Sequence, residues 1–316
     1  MVKRNKLDIK DSKNGAIKRQ VCDHIPVLLN EVLSLATNNP KVIVDGTFGN
    51  GGYSRALLEK FRFSTLYAFD RDENTFSKAD KLKKEFGSRF NFIHDTFSNI
   101  PKHVKNPDFV ILDIGVSSMQ IDQGERGFSL QNDGPLDMRM GLNEIDAKTV
   151  VNEFASEQLY EIFKKYGEEP ASGMIANRIV KLRAIKPIET TLELKAIIDQ
   201  TARNAKAHSR VFQALRIFIN DELGQLETAL DTIPQILNKD GIFGTVSFHS
   251  LEDRMVKNKF NELTKDVAVS RYVPSLKQVE KDFILLTKSA IKPSKEEMQA
   301  NPRSHSARLR AIRKKV

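Results

Sequence analysis

The sequence predicts an α/β fold: a mixed, mostly parallel sheet with helices on both faces, carrying an inserted helical domain after its fourth strand. Three observations predict it. Short apolar runs alternate with segments of helical periodicity from residue 26 to residue 116. That alternation then stops, and residues 146–207 read as successive helices with no convincing strand. Strand character returns at "GIFGTVSF", residues 241–248, followed by another helix.

The elements follow in order. Pro26 stands where a helix can start, and Leu28, Val32 and Leu35 share one face at i, i+4 and i+7. "KVIVD" (41–45) reads as a buried strand and "YSRALLEKF" (53–61) as a helix. "STLYAFD" (64–70) is a strand, "DENTFSKADKLKKEF" (72–86) a helix and "RFNFIH" (89–94) a strand. "DFVILDIGV" (108–116) is the most apolar strand so far. Residues 120–141 form a long loop rich in Gly, Asp and Gln, and such loops are usually functional or disordered. "RVFQALRIFINDELGQLETAL" (210–230) reads as one long helix, its apolar residues spaced by three or four. "SLEDRMVKNKF" (250–260) is a helix, and "FILLTKSAI" with "ARLRAIRK" suggests a closing antiparallel pair. The domain division is a basic, disordered arm (1–22), a sheet domain (23–120 and 208–316) and a helical insertion (121–207).

Composition excludes several classes. Apolar residues make up 40% of the 316, enough for a sizeable core. No run approaches the ~18 apolar residues of a membrane span. The N-terminal stretch is basic but has no apolar region, so it is not a secretory signal. The single cysteine, Cys22, rules out an internal disulfide framework and a cysteine-built zinc site; no metal site is expected, and a reducing cytoplasm fits. The net charge is +9, and the excess sits at the two ends: +5 within residues 1–20 and +6 within residues 301–316. Basic ends suit a polyanion such as nucleic acid, bound through phosphate contact and counterion release; a solubilising tail is the bland alternative.

Between the first strand and its helix lie Gly46, Gly49, Gly51 and Gly52. Glycine there lets backbone approach a ligand closely, at the strand ends where α/β sheets bind. The spacing is not the dinucleotide G-x-G-x-x-G. Asp45 ends the first strand, and Asp70, ending the second, can accept hydrogen bonds from both hydroxyls of a ribose. This pattern resembles class I S-adenosylmethionine-dependent methyltransferases (a Rossmann-like fold), in which Asp45 would help hold the cofactor's ammonium. The alternative is an ordinary strand–helix turn capped by Asp45 and Asp70. Asp95 and Phe97, after the third strand, are placed to meet an adenine edge and face, although Phe97 would equally be core. Asp113 ends an apolar strand, where an unpartnered carboxylate would be costly.

The acceptor atom can be narrowed. Carbon methylation of a pyrimidine commonly uses a cysteine, and only Cys22, in the basic arm, is available. Transfer to nitrogen or oxygen needs an in-line acceptor and an exit for its proton. Asp113 and nearby backbone are candidates to draw on an exocyclic amine. The D-P-P-Y or N-P-P-Y of many amino-methyltransferases is absent; the chain reads "DIGV".

Longer blocks are more specific. "HIPVLLNEVL" (24–33), "DGTFGNGGYSRALL" (45–58), "DIGVSSMQIDQGERGFSLQNDGPLDMRM" (113–140), "YGEE" (166–169), "FQALRIFINDEL" (212–223), "SFHSLEDRMVK" (247–257) and "NPRSHSARLR" (301–310) occur in order along nearly the whole chain. Together they resemble the bacterial small-subunit (16S) ribosomal RNA cytosine-N4 methyltransferase family. The resemblance implies methyl transfer from S-adenosylmethionine to the exocyclic amine of one cytidine in the decoding region, with the small ribosomal subunit and its 16S rRNA as partner. It implies cofactor contacts at Gly51, Gly52, Tyr53, Asp70, Phe97, Asp113 and Gln120. The chain departs from the family at Tyr53, where histidine is usual, and at "HSR" (208–210), where H-P-A-T-R is common.

Four side readings remain. Ser250 and Asp253 have capping-box spacing at a helix start. His249 either faces the base or is structural. Arg126 and Arg139, in the long loop, are candidates for phosphate contact or base stacking. The insertion is an RNA-recognition module, or a lid and the surface of a homodimer. Two competing functions stay open: an NAD-dependent oxidoreductase on a similar sheet, and a non-catalytic RNA-binding or ribosome assembly factor.

Overall fold

The computed structural model describes residues 26–36, 39–141, 143–265 and 281–315. The basic arm (1–22) and Cys22 lie outside these residues.

Seven strands form one sheet: β1 (Val42–Asp45), β2 (Thr65–Asp70), β3 (Phe90–His94), β4 (Phe109–Asp113), β5 (Ile242–Ser247), β6 (Phe283–Leu285) and β7 (Arg308–Lys314). The spatial order is β3-β2-β1-β4-β5-β7-β6. β1 to β5 pair in parallel; β7 runs antiparallel to both β5 and β6. The mixed sheet expected of a class I methyltransferase is therefore present, with the closing antiparallel pair in place. Strand order reverses at β1, which β2 flanks on one side and β4 on the other, so the ligand crevice of such sheets opens at the ends of these strands. Register gathers the acids there: Asp45 stands opposite Ile111, Asp70 opposite His94 and Asp113 opposite Val246.

Helices cover both faces. On one lie α1 (Leu29–Leu35), α2 (Gly52–Lys60) and α3 (Phe76–Phe86), packing Val32, Leu57, Leu58 and Leu82 onto Ile43 and Leu66. On the other, α4 (Ile100–His103) joins two long helices from later in the chain, burying Ile100 against Val44 and Leu112. α5 (Ser118–Asp122) follows β4 directly.

The insertion has its own core. It is built by α6 (Ala147–Glu153), α7 (Ser156–Gly167), α8 (Ser172–Arg183), α9 (Thr191–Thr201) and α10 (Ala207–Asn220), around Leu159, Phe163, Ile175, Ile198 and Leu215, all fully buried. Each such side chain contributes about 1.5–3 kcal/mol. Here the boundary drawn at residue 208 needs correcting. α10 packs within this cluster, down to Ile219, because its apolar stripe faces α7.

The single long helix expected over 210–230 is two. Asp221 adopts a left-handed conformation (φ 46°) and separates α10 from α11 (Glu222–Ile236), which packs on the sheet beside α12 (Ser250–Thr264). α13 (Lys295–Ala300) precedes a 3-10 turn, Pro302–Ser306. Among the described residues, no helix is long and apolar enough to cross a membrane.

The long loop is not structureless. A capping box starts α5, a one-residue bridge joins Pro135 to Thr190, and Asn220 binds its far end. The Asn220 side chain accepts from Met140 N (2.8 Å) and donates to Met138 O (2.8 Å). Gly141 (φ 111°) closes the loop against β2. A Cβ there would stand 2.0 Å from the Arg71 carbonyl, so only glycine fits.

Candidate active site

The crevice above β1, β2 and β4 holds a cleft of about 360 Å³. The glycine turn forms its floor. Gly46 N donates to Ile111 O (2.9 Å) and Phe48 N to Phe69 O (2.8 Å), binding the turn to both neighbouring strands. Gly51 takes φ 77° and starts α2; a Cβ on it would press on the Phe48 ring at 2.8 Å. Gly52 and Tyr53 line the cleft, whereas Gly51 sets the turn from behind. The Tyr53 hydroxyl donates to Val27 O, pinning the segment before α1 beside the cleft.

Asp70 lines the cleft with each oxygen held once: Oδ2 by Gly49 N (2.7 Å) and Oδ1 by Asp72 N (2.9 Å). Both oxygens keep a lone pair for a diol. Burial raises its pKa to about 6, the bonds from Asp72 and Gly49 opposing and the charges of Asp72 and Asp45 adding. Phe97 and Asp95 also line the cleft. Asp95 is occupied by Thr96 N (2.7 Å), Asn99 Nδ2 (2.8 Å) and His103 Nε2 (2.9 Å).

Asp113 is the odd group. Its backbone N donates to Thr47 Oγ1 (2.6 Å), but its carboxylate Oδ1 is shut off from solvent and has no hydrogen-bond partner among the described residues. Burial pushes its pKa well up, and the charges of Asp45 and Glu252 push it further. A polar atom left so inside a cleft awaits a ligand that donates to it.

The Gln120 side chain is also in the lining, buried and oriented by Asp72, to which its Nε2 donates (2.8 Å).

A family model described as the MraW methylase family matches residues 21–315. The chain belongs to that family. Ribosomal RNA small subunit methyltransferase H of Bartonella tribocorum is 46% identical over 294 residues, covering 91% of this chain and 88% of the relative. The protein of the same name from Sinorhizobium medicae is 45% identical over 296 residues, covering 91% and 86%. The Brucella ovis counterpart is 45% identical over 301 residues, with the same coverage. Membership in a methylase family sets aside the oxidoreductase alternative, and the resemblance carried by the sequence blocks holds.

In this MraW-family chain the structure brings Gly52, Tyr53, Asp70, Phe97, Asp113 and Gln120 into one cleft. Several expectations need correcting. Asp45 does not line the cleft. It is fully buried behind the glycine turn, where Ser54 Oγ (2.6 Å) and Thr47 N (3.2 Å) donate to it, and burial raises its pKa to about 6. Arg126 is not available to phosphate: its Nη2 meets Asp72 Oδ2 (2.9 Å) and Arg139 O (2.9 Å), so it braces the loop. Arg139 is folded onto its neighbour Asp137 (2.7 Å and 3.0 Å) and lies outside the cleft lining. His249 turns away from the cleft. It caps α12, and its Nε2 stands 2.9 Å from Glu252. The capping box is thus His249 with Glu252, one residue before the pair read from sequence. Ser250 instead bonds Glu168 (2.9 Å) and Asp253 pairs with Arg310 (2.7 Å).

Sequence reading missed Arg216, Glu222 and Arg303 in the lining. Arg216 and Glu222 form a bidentate pair (2.8 Å and 2.9 Å) across the α10–α11 break. The only sequence signal was their place inside the quoted blocks.

Proposed function

We propose that the protein transfers a methyl group from S-adenosylmethionine to the exocyclic N4 amine of a cytidine in small-subunit (16S) rRNA, in the decoding region. The observation that carries this is the sealed, unpartnered Oδ1 of Asp113 in a cleft whose other groups suit a nucleoside-bearing cofactor. The names of the relatives support the RNA class, and work on ribosomal subunits supports a cytoplasmic location.

The donor set fits the cofactor. Asp70 would take the ribose hydroxyls, Phe97 the adenine face, and the bare turn at Gly52 would admit the rest of the molecule. When bound, the cofactor supplies an electrophilic methyl carbon. The chain's residues do the remainder. The lone pair of a cytosine amine is spread into the ring. Asp113 Oδ1, accepting from that amine, draws a hydrogen out of plane and returns electron density to nitrogen. On giving up that carbon the cofactor would leave as the neutral thioether S-adenosylhomocysteine, and Asp113, as its carboxylate, would take the proton that the amine sheds. The Gln120–Asp72–Arg126 chain holds the start of α5 in place beside it.

The test is transfer of labelled methyl to isolated small subunits, with the RNA digested and its nucleosides identified by mass spectrometry. N4-methylcytidine is the expected product. Absence of label in subunits at every stage of maturation would overturn the reading.

A further inference from the structure

A second cavity, of about 410 Å³, lies beside the first. It sits between the Phe128–Asn132 part of the long loop and the first turns of α10. The two cavities share Val116, Ile121, Arg216 and Arg303 as lining residues, so they abut along a common wall. That wall begins three residues after Asp113.

The linings differ in kind. The second cavity has two aromatic rings, Phe128 and Phe212, and amide groups from Asn132 and Gln213. The Gln213 Nε2 donates to Tyr166 O (3.2 Å), which turns its Oε1 into the remaining acceptor. Rings and amides together are what a single extruded base requires: a face to stack on and groups for its edge. At the rim stands Arg303, a cation common to both cavities. Its Nη2 rests 2.6 Å from Asp122 Oδ1, and both side chains are substantially exposed. Solvent-exposed pairs of this kind are weak, so a phosphodiester can displace the carboxylate at small cost.

We propose that the second cavity receives the extruded acceptor nucleotide of the RNA. Its base lies against Phe128 and Phe212, its amine edge crosses the shared wall at Val116 toward Asp113, and its phosphate meets Arg303. This rests on the methyl-transfer reading above and adds where the substrate sits.

Ser209 is exposed and lines only the second cavity. Ser209→Trp should leave the calorimetric affinity for S-adenosylmethionine unchanged and lower kcat/KM toward small subunits by ~100-fold. Asn132→Trp fills the same space from the opposite wall and decides the matter if Ser209→Trp fails to fold. Arg303→Ala should raise KM by ~10-fold with kcat little changed, and Arg303→Lys should restore part of the loss. Wild-type kcat/KM in a folded Trp variant would overturn the assignment. Wild-type protein that binds the cofactor yet methylates no RNA would defeat the underlying reading instead.

Discussion

Three aspartates end three neighbouring strands, and their surroundings give each a different task. Asp113 has an orphan oxygen, Asp70 two half-used ones, and Asp45 none facing the cleft. Asp113→Asn keeps the shape and an accepting oxygen but removes the carboxylate that takes the proton, so kcat on small subunits should fall by ~100-fold or more while cofactor affinity changes little. Single-turnover kinetics beside calorimetry would separate the two. Asp70 must be ionised to accept from a diol. Since its pKa is raised to about 6, cofactor affinity should weaken as pH falls through about 6, and Asp70→Asn should flatten that profile. Asp45 makes a stability statement. Its folded pKa, about 6, exceeds the unfolded 3.8, so its contribution is full below 3.8 and is lost as pH rises through about 6. Relative to Asp45→Asn, the wild type should lose ~2 kcal/mol of urea stability between pH 4 and pH 7. These acids were legible because each closes an apolar run. Their differing roles were not, since those depend on Ser54, Thr47 and Asp72 folding back.

Between elements, the joint where α10 meets α11 governs the long loop. Asn220 holds Met138 and Met140 in place, and Arg216 clasps Glu222 across the break. Asn220→Ala leaves a buried amide and a buried carbonyl unpaired and should cost ~3 kcal/mol, measured by chemical denaturation. Methyl transfer should suffer more than cofactor binding, because the loop walls the second cavity. This joint was invisible in the sequence. The apolar spacing runs unbroken through "FINDELGQL", and only Asp221's backbone interrupts it. Arg126 misled for a related reason: a lone arginine in a polar loop reads as free, and its partner Asp72 sits on another element. β1, β4 and β5, by contrast, were readable from local pattern alone, because burial on both faces demands continuous apolar runs, and β7 was readable from its alternation of apolar and basic residues.

Across the whole molecule, the charge excess lies at the two ends of the sequence, while the cleft lining sets Asp70, Asp95, Asp113 and Glu222 against Arg71, Arg216 and Arg303. Most of the C-terminal cations lie within β7, where Arg310 pairs with Asp253, so residues 1–20 should carry most of the phosphate contact and the cleft should position the RNA. Affinity for small subunits should fall steeply with salt. Deleting residues 1–20, which carry a net +5, should reduce the log–log salt slope by ~3 while leaving cofactor binding intact; filter binding over a salt series checks it. The sheet-plus-insertion plan was legible from where the strand–helix alternation stops and resumes. The insertion's far boundary was not, because α10 belongs to its core by packing and to the sheet domain by sequence order. The placement of β7 has a consequence for biogenesis. β7 lies between β5 and β6, although β6 precedes it in the chain. A nascent polypeptide must therefore expose residue 314 before that half of the sheet can knit. Until then β5, buried on both faces when folded, presents an open edge to any passing strand. A ribosome that stalls late on this message would release a fragment with that edge uncovered.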